Sequence, residues 1–252
     1  INSDEEIGSR ESTRWIRPLA ALACRAFVME PGLGPAGALK TARKGLGRYT
    51  VTIEGRAAHA GLDPDRGASA ILELSHVIQR LFALNDAERG ITVNVGTIEG
   101  GLRANVVAPR SEAIVDVRVL RDGDATDVDA AIRSLEPATP GTRLEVSGGF
   151  GRPPMERTAG NAALYQAARR AGNPLGIELE EVTAGGGSDG NTTSQFTPTL
   201  DGLGPTGDGA HAPGEHVRIS NLPIRTALLA ALLMEPAEVG RREGWRSTSS
   251  HR

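Results

Sequence analysis

The chain is 252 residues long, with 28 basic and 31 acidic side chains, a net charge of −3 and a pI near 6.0, which excludes the basic footprint of a nucleic-acid binder. Its 32 glycines and 3% aromatic content fit an α/β chain rich in tight turns, and the length allows one large domain or two modest ones. A single cysteine, Cys24, excludes an intrachain disulfide, and no apolar run reaches the roughly 18 residues needed to span a bilayer.

The chain opens on Ile1 rather than Met, directly ahead of Asn2-Ser3-Asp4-Glu5-Glu6-Ile7-Gly8-Ser9, and is expected to be the C-terminal piece of a longer enzyme. Adjacent carboxylates repel, so the Glu5-Glu6 pair before a Gly-Ser turn points to a cation or to proton chemistry. Read as an extended segment, it turns the two side chains to opposite sides: one can bind a metal while the other handles a proton. The apolar neighbours of Cys24, residues 19–23, assign the thiol a buried packing role. Ala26-Phe27-Val28-Met29-Glu30-Pro31-Gly32 reads as a short buried strand delivering Glu30 at its end, as α/β folds present site residues.

The rhythm changes over residues 46–155. Tyr49 to Gly55 alternates with period two and reads as a strand. Residues 65–84 carry Leu74, Val77, Ile78 and Leu81 at helical spacing. Strands over 91–98 and 112–120, a helix over 124–135 and a strand over 142–147 complete a β-α-β-β-α-β order, the ferredoxin-like split βαβ unit. Arg118 is expected to pair with Asp116 or Glu112 on its own sheet, and His76 to lie at or near the surface.

From residue 156 the α/β character returns. A helix is predicted over 161–171 and a short strand over 178–183. The tight loop Gly185-Gly186-Gly187-Ser188-Asp189-Gly190 follows, then a strand over 199–202 leading to 207–211. A closing helix over 221–235 has its start marked by Ser220 and Pro223. Ser188-Asp189 either caps a helix starting near Asn191 or lines a pocket. The expected division is therefore 1–45 and 156–236 as two parts of one α/β domain, 46–155 as an inserted α+β domain, and 237–252 as a polar tail.

Glu5, Glu6, Glu30 and His211, the last in Gly209-Ala210-His211-Ala212-Pro213-Gly214-Glu215, are donor types suited to zinc or a mixed zinc, manganese or cobalt site. The glycine run over 185–190 lacks the Lys-Ser/Thr of a phosphate loop.

In order along the chain, Ser3-Asp4-Glu5-Glu6-Ile7-Gly8-Ser9, Val28-Met29-Glu30-Pro31, Gly55-Arg56-Ala57-Ala58-His59-Ala60-Gly61, Asn105-Val106-Val107-Ala108-Pro109 with Asp116-Val117-Arg118, and His211-Ala212-Pro213-Gly214-Glu215 resemble the signatures of the M20 metallopeptidase family. Gly185 to Asp189 and Gly151-Arg152-Pro153-Pro154 lean toward its glutamate-carboxypeptidase branch. The resemblance implies a zinc-exopeptidase-like catalytic domain, interrupted by a ferredoxin-like lid that also makes a homodimer through residues 46–155. It implies Glu5 as the general base, Glu6, Glu30 and His211 as metal ligands, and His59 as the lid histidine that serves the partner's oxyanion. Arg152 and Asn105 would contact the substrate, with Gly187 and Ser188 in a loop beside it. Two Zn²⁺ ions are implied, with Co²⁺ or Mn²⁺ as substitutes, and a small dipeptide or N-acyl amino acid with a free carboxylate as substrate. The family's His-x-Asp and bridging Asp would precede Ile1, so metal binding and hydrolysis by this chain alone are expected to be impaired. The alternatives are a non-catalytic dimerising module and an N-acyl-amino-acid deacylase of the same family.

Overall fold

The computed structural model describes residues 2–236, and the expected polar tail over 237–252 lies outside the described residues. In chain order the first elements are a 3₁₀ turn (Glu5–Ile7), α1 (Thr13–Leu22), β1 (Ala26–Phe27), β2 (Leu39–Arg43), β3 (Gly45–Glu54), α2 (Ala70–Phe82), β4 (Thr92–Gly100) and β5 (Arg110–Val119). There follow α3 (Asp122–Arg133), β6 (Arg143–Arg152), α4 (Ala159–Gly172), β7 (Glu181–Ala184), α5 (Asp189–Thr193), β8 (Thr199–Leu200), β9 (Gly207–Asp208), β10 (His216–Val217) and α6 (Leu222–Met234).

Period-two patterning builds the inserted domain. β3 buries alternate residues, including Tyr49, Val51 and Ile53, and lies at the centre of an antiparallel sheet of order β4-β5-β3-β6. Two helices cover one face. Leu74, Val77 and Leu81 from α2, and Val128 and Ile132 from α3, pack on Tyr49, Val115 and Val117, as the 3–4 spacing of apolar positions requires. Helix α2 starts at Ala70, later than its apolar spacing suggests, because Pro64–Arg66 forms a separate 3₁₀ turn and the Ser69 hydroxyl caps the Leu72 N–H at 3.2 Å.

Strand β6 runs five residues beyond the expected end at 147. Gly148 and Gly149 have φ of 94° and 152°, and a Cβ on Gly148 would strike the Arg48 carbonyl oxygen, so glycine there permits a close approach rather than ending the strand. This extension carries Arg152 to a position opposite Leu46.

The α/β part holds two short parallel ladders, β1 with β8 and β2 with β7, linked by an isolated bridge in which Lys40 and Asp201 exchange both backbone hydrogen bonds at 2.8 and 3.1 Å. Leu39, Leu200 and Leu203 pack beneath Tyr165 and Ala168 of α4 and Leu228 and Leu232 of α6. The expected strand ending at Glu30 shrinks to two residues, Ala26–Phe27, since past Val28 the chain turns through Pro31-Gly32, where the Gly32 N–H binds the Pro205 carbonyl at 3.0 Å. Cys24, expected to be buried, is exposed: α1 turns Leu19 and Leu22 outward, and the thiol lies in the connection to β1. Among the described residues no helix is long and apolar enough to cross a membrane.

Candidate active site

The acid doublet does not lie in an extended segment. Glu5–Ile7 is a 3₁₀ turn ended by Gly8 and Ser9, both left-handed at φ 96° and 53°. The Ser9 N–H closes it onto the Asp4 carbonyl at 2.8 Å, while the Asp4 carboxylate accepts the N–H groups of Glu11 and Ser12 at 2.8 and 3.3 Å. At three residues per turn, neighbouring side chains still diverge. Glu6 is exposed and Glu5 turns inward to a side-chain exposure of 21%.

Glu5 meets Arg152, delivered by the extension of β6. Arg152 Nη1 donates to Glu5 Oε1 at 2.7 Å, and Nη2 donates to the Glu5 carbonyl at 3.0 Å and to Ser9 Oγ at 3.1 Å. Base and substrate arginine, as the resemblance assigns them, are thus each other's partners, joining the α/β part to the inserted sheet. They line a cleft of about 580 Å³ with Glu6, Arg10, Arg48, Asp116, Arg118 and Gly187. Arg118 donates to Asp116 at 2.8 Å, as expected, and to the Gly185 carbonyl at 3.0 Å.

Behind the Gly186-Gly187 loop lies a buried charged cluster. The Arg43 guanidinium grips Asp201 through Nε at 2.7 Å and Nη2 at 3.2 Å and holds the Gly186 and Gly187 carbonyls through Nη1. Asp201 also accepts the Ser188 hydroxyl at 2.5 Å and the Gly202 N–H. Lys40 donates to the Pro31 carbonyl at 2.8 Å, and burial, then Arg43, pulls its ammonium below the usual lysine range. Glu30 is half-buried, and its carboxyl is pushed above the usual carboxylate range by burial first, then by Asp201 and Glu5, with Arg43 and Lys40 opposing. Ser188 is fully buried as the N-cap of α5, in a reciprocal box with Asn191; of this loop it is Gly187 that lines the cleft. A Cβ on Gly190 would come within 2.8 Å of Asp201 Oδ2, so the loop packs directly on this cluster.

His59 and Asn105 lie in two adjoining loops of the inserted domain, outside its strands, where His59 forms an isolated bridge to Val106 and the Ala60 N–H binds the Asn105 carbonyl at 3.0 Å. His59 Nδ1 accepts the Gly61 and Leu62 N–H groups, each at 3.2 Å, so a neutral ring carries its proton on Nε2. Both side chains are exposed. His211, at φ 62°, is exposed in the turn between β9 and β10. Among the described residues no three of His, Cys, Asp and Glu are grouped to hold a metal ion, so Glu6, Glu30 and His211 are not gathered as a set.

Arg43 and Ser9 carry no individual signal in the sequence, Asp189 is marked there only as a cap or pocket-lining residue, and Asp201 is passed over. Asp201-Gly202 follows a short strand just as Glu30-Pro31-Gly32 does, and that shared strand-end signal could have found it.

Residues 41–137 match the peptidase dimerisation domain of the M20 peptidases. Over 245 residues the chain is 30% identical to carboxypeptidase G2 of Pseudomonas sp. (strain RS-16), covering 93% of this chain and 58% of that protein. It is 28% identical to the uncharacterized protein YqjE of Bacillus subtilis (strain 168), covering 81% of this chain and 55% of that one. The chain thus spans somewhat over half the length of these relatives. Its fold is similar to the aminopeptidase PepT of Bacillus cereus ATCC 10987, with a TM-score of 0.78 at 22% identity over 92% of this chain and 62% of that one. A tripeptidase of Staphylococcus aureus gives 0.74 at 22% identity over the same shares, 92% and 62%.

Proposed function

We propose that this chain, which carries the M20 peptidase dimerisation domain and is homologous to carboxypeptidase G2, belongs to a hydrolase that cleaves an amide bond in a small carboxylate-bearing dipeptide or N-acyl amino acid. The observation that carries this reading is the Glu5–Arg152 pair at 2.7 Å on the wall of the cleft. A planar guanidinium suits the substrate carboxylate. An acid beside it suits removal of a proton from the attacking water and its return to the leaving nitrogen. His59 Nε2 and Asn105, exposed on the inserted domain, are assigned to oxyanion and substrate contacts in the partner subunit of a homodimer formed through residues 46–155.

Glu6, Glu30 and His211 are the donors proposed for zinc, with cobalt or manganese as substitutes. A bound metal would supply a more acidic water and a polarised carbonyl. Glu30, whose carboxyl is pushed up by burial and neighbouring acids, is an environment that a cation would relieve. The described residues nevertheless gather no three donors, so this set does not by itself make a centre, and the steps above run through Glu5 and Arg152. That shortfall favours a second reading, a dimerising module without catalysis.

The test is metal content and hydrolysis of N-acyl glutamates by the purified protein and its Glu5→Gln variant. The hydrolase reading expects metal to be kept and turnover to fall by about 10²–10⁴-fold in the variant. Unchanged turnover removes Glu5 as the base. A dimer with no metal and no hydrolysis selects the second reading.

A further inference from the structure

Arg152 spends its two terminal nitrogens unequally. Nη1 goes to the Glu5 carboxylate, whereas Nη2 goes to the Glu5 backbone carbonyl and to Ser9 Oγ. An incoming carboxylate can therefore take Nη1 from the Glu5 side chain while Nη2 keeps both of its anchors.

The Ser9 anchor has a forced polarity. A hydroxyl has one proton, and Ser9 Oγ has three polar neighbours: Asp189 Oδ1 at 2.5 Å, Arg152 Nη2 at 3.1 Å and Asn2 Nδ2 at 3.2 Å. Asn2 is fixed in orientation because its Oδ1 accepts the Asp4 N–H at 3.1 Å while its Nδ2 also donates to Asp189 Oδ2 at 2.5 Å. Neither the guanidinium nor the Asn2 amide nitrogen can accept a hydrogen bond, and a carboxylate cannot donate one. The single proton of Ser9 therefore goes to Asp189, and its lone pairs face Arg152 and Asn2.

Two further observations set this hydroxyl apart from ordinary packing. Ser9 is 1% exposed, and its φ of 53° is a conformation glycine adopts without the penalty a Cβ brings. The backbone would be easier with glycine, and what serine adds there is the hydroxyl.

We infer that Ser9 and Asp189 are positioning residues for Arg152: Asp189 takes the Ser9 proton, and the Ser9 oxygen keeps the guanidinium in place when a substrate carboxylate displaces Glu5. This rests on the reading of Arg152 as the carboxylate site. It makes substrate arrival and release of the base one event, because the carboxylate that binds Nη1 is the one that frees Glu5.

The experiment is calorimetric titration of glutarate into the full chain and into Ser9→Gly, Ser9→Ala, Asp189→Asn and Arg152→Met, with a thermal midpoint for each. Loss of one hydrogen bond to a charged group corresponds to roughly a tenfold weaker Kd, and this is expected for both Ser9 variants. Their midpoints should separate, with Ser9→Ala below Ser9→Gly, because both lose the hydroxyl and only glycine relaxes the left-handed backbone. Asp189→Asn, which keeps an acceptor for the serine proton, should fall between Ser9→Gly and the parent in affinity. Arg152→Met should abolish binding. If Arg152→Met abolishes binding and Ser9→Gly stays within about twofold of the parent, a factor too small for one such bond, the positioning role is overturned and the Arg152 reading stands. If the parent fails to bind glutarate, or Arg152→Met binds as the parent does, the Arg152 reading itself falls and takes this one with it.

Discussion

Replacing Arg43 with Met tests whether the buried cluster behind the Gly186-Gly187 loop is held together by charge. The Arg43 side chain is 5% exposed and that of Asp201 is 0% exposed, and the guanidinium supplies two of the four hydrogen bonds that Asp201 accepts. Removing it leaves a buried carboxylate with the Ser188 hydroxyl and the Gly202 N–H, and such a broken pair costs about 3–5 kcal/mol. The bonds to the Gly186 and Gly187 carbonyls add little, because Gly186 is exposed and water can replace the guanidinium there. We therefore expect Arg43→Met to lose about 4 kcal/mol, a fall in Tm of roughly 8–16 °C for a chain of this size. Urea unfolding followed by far-UV circular dichroism measures the loss, and the double variant Arg43→Met, Asp201→Leu measures the coupling. The double variant should be more stable than the sum of its parts by about 1.5–3 kcal/mol, since no charge is then left buried alone. A loss below about 1 kcal/mol in Arg43→Met, the range of a surface ion pair, or strict additivity in the double variant, would refute the reasoning.

Other consequences follow from single contacts. Arg225 is buried and donates to the carbonyls of Gly204 and Gly37, each at 3.0 Å, and of Gly202; Arg225→Met should cost about 2–4 kcal/mol by urea titration, and a near-neutral result would show that water replaces the guanidinium. Glu181 is held below the usual carboxylate range first by Arg157, at 2.8 and 2.9 Å, and then by Thr41, against the opposing effect of burial. Its contribution is complete above the unfolded carboxylate pKa near 4 and drains as pH falls through the lower folded value, so Arg157→Gln should be the less stable protein at pH 7, with the gap closing as pH falls below the unfolded value. A gap independent of pH would contradict that. Cys24 is exposed and should react with a thiol reagent in the native protein at one equivalent per chain; reaction only on unfolding would return it to the buried role first expected of it.

The inserted sheet was legible because Tyr49, Val51 and Ile53 alternate with half-buried and exposed neighbours, so side-chain period and burial say the same thing. Strand β2 was not. Its five residues Leu39-Lys40-Thr41-Ala42-Arg43 are all buried, and no hydrophobic pattern marks a strand whose two cations are accommodated by the Pro31 carbonyl and by Asp201. Helix α1 was hidden by Pro18 inside it and by the outward Leu19 and Leu22. In the site, residue types could be read but pairings could not. Glu5 and Arg152 are 147 positions apart, and nothing local to either says that the turn at Gly8-Ser9 and the glycine-permitted run of β6 bring them within 3 Å. Ser188-Asp189 was recognised as a cap, while its second use, Asp189 reaching back to Ser9, depends on tertiary packing alone.

The way the inserted sheet is attached carries one more implication. The chain enters it at Gly45 and leaves it after Arg152, with Leu46 directly across from Arg152. Just outside, Arg43 and Met155 exchange both backbone hydrogen bonds, at 2.9 and 3.0 Å. Both crossings thus run through one two-stranded stem, in which a bend in either strand drags the other along. Because the two ends already touch, the excursion can be cut away and its stumps joined by a short turn without threading the rest of the chain anew.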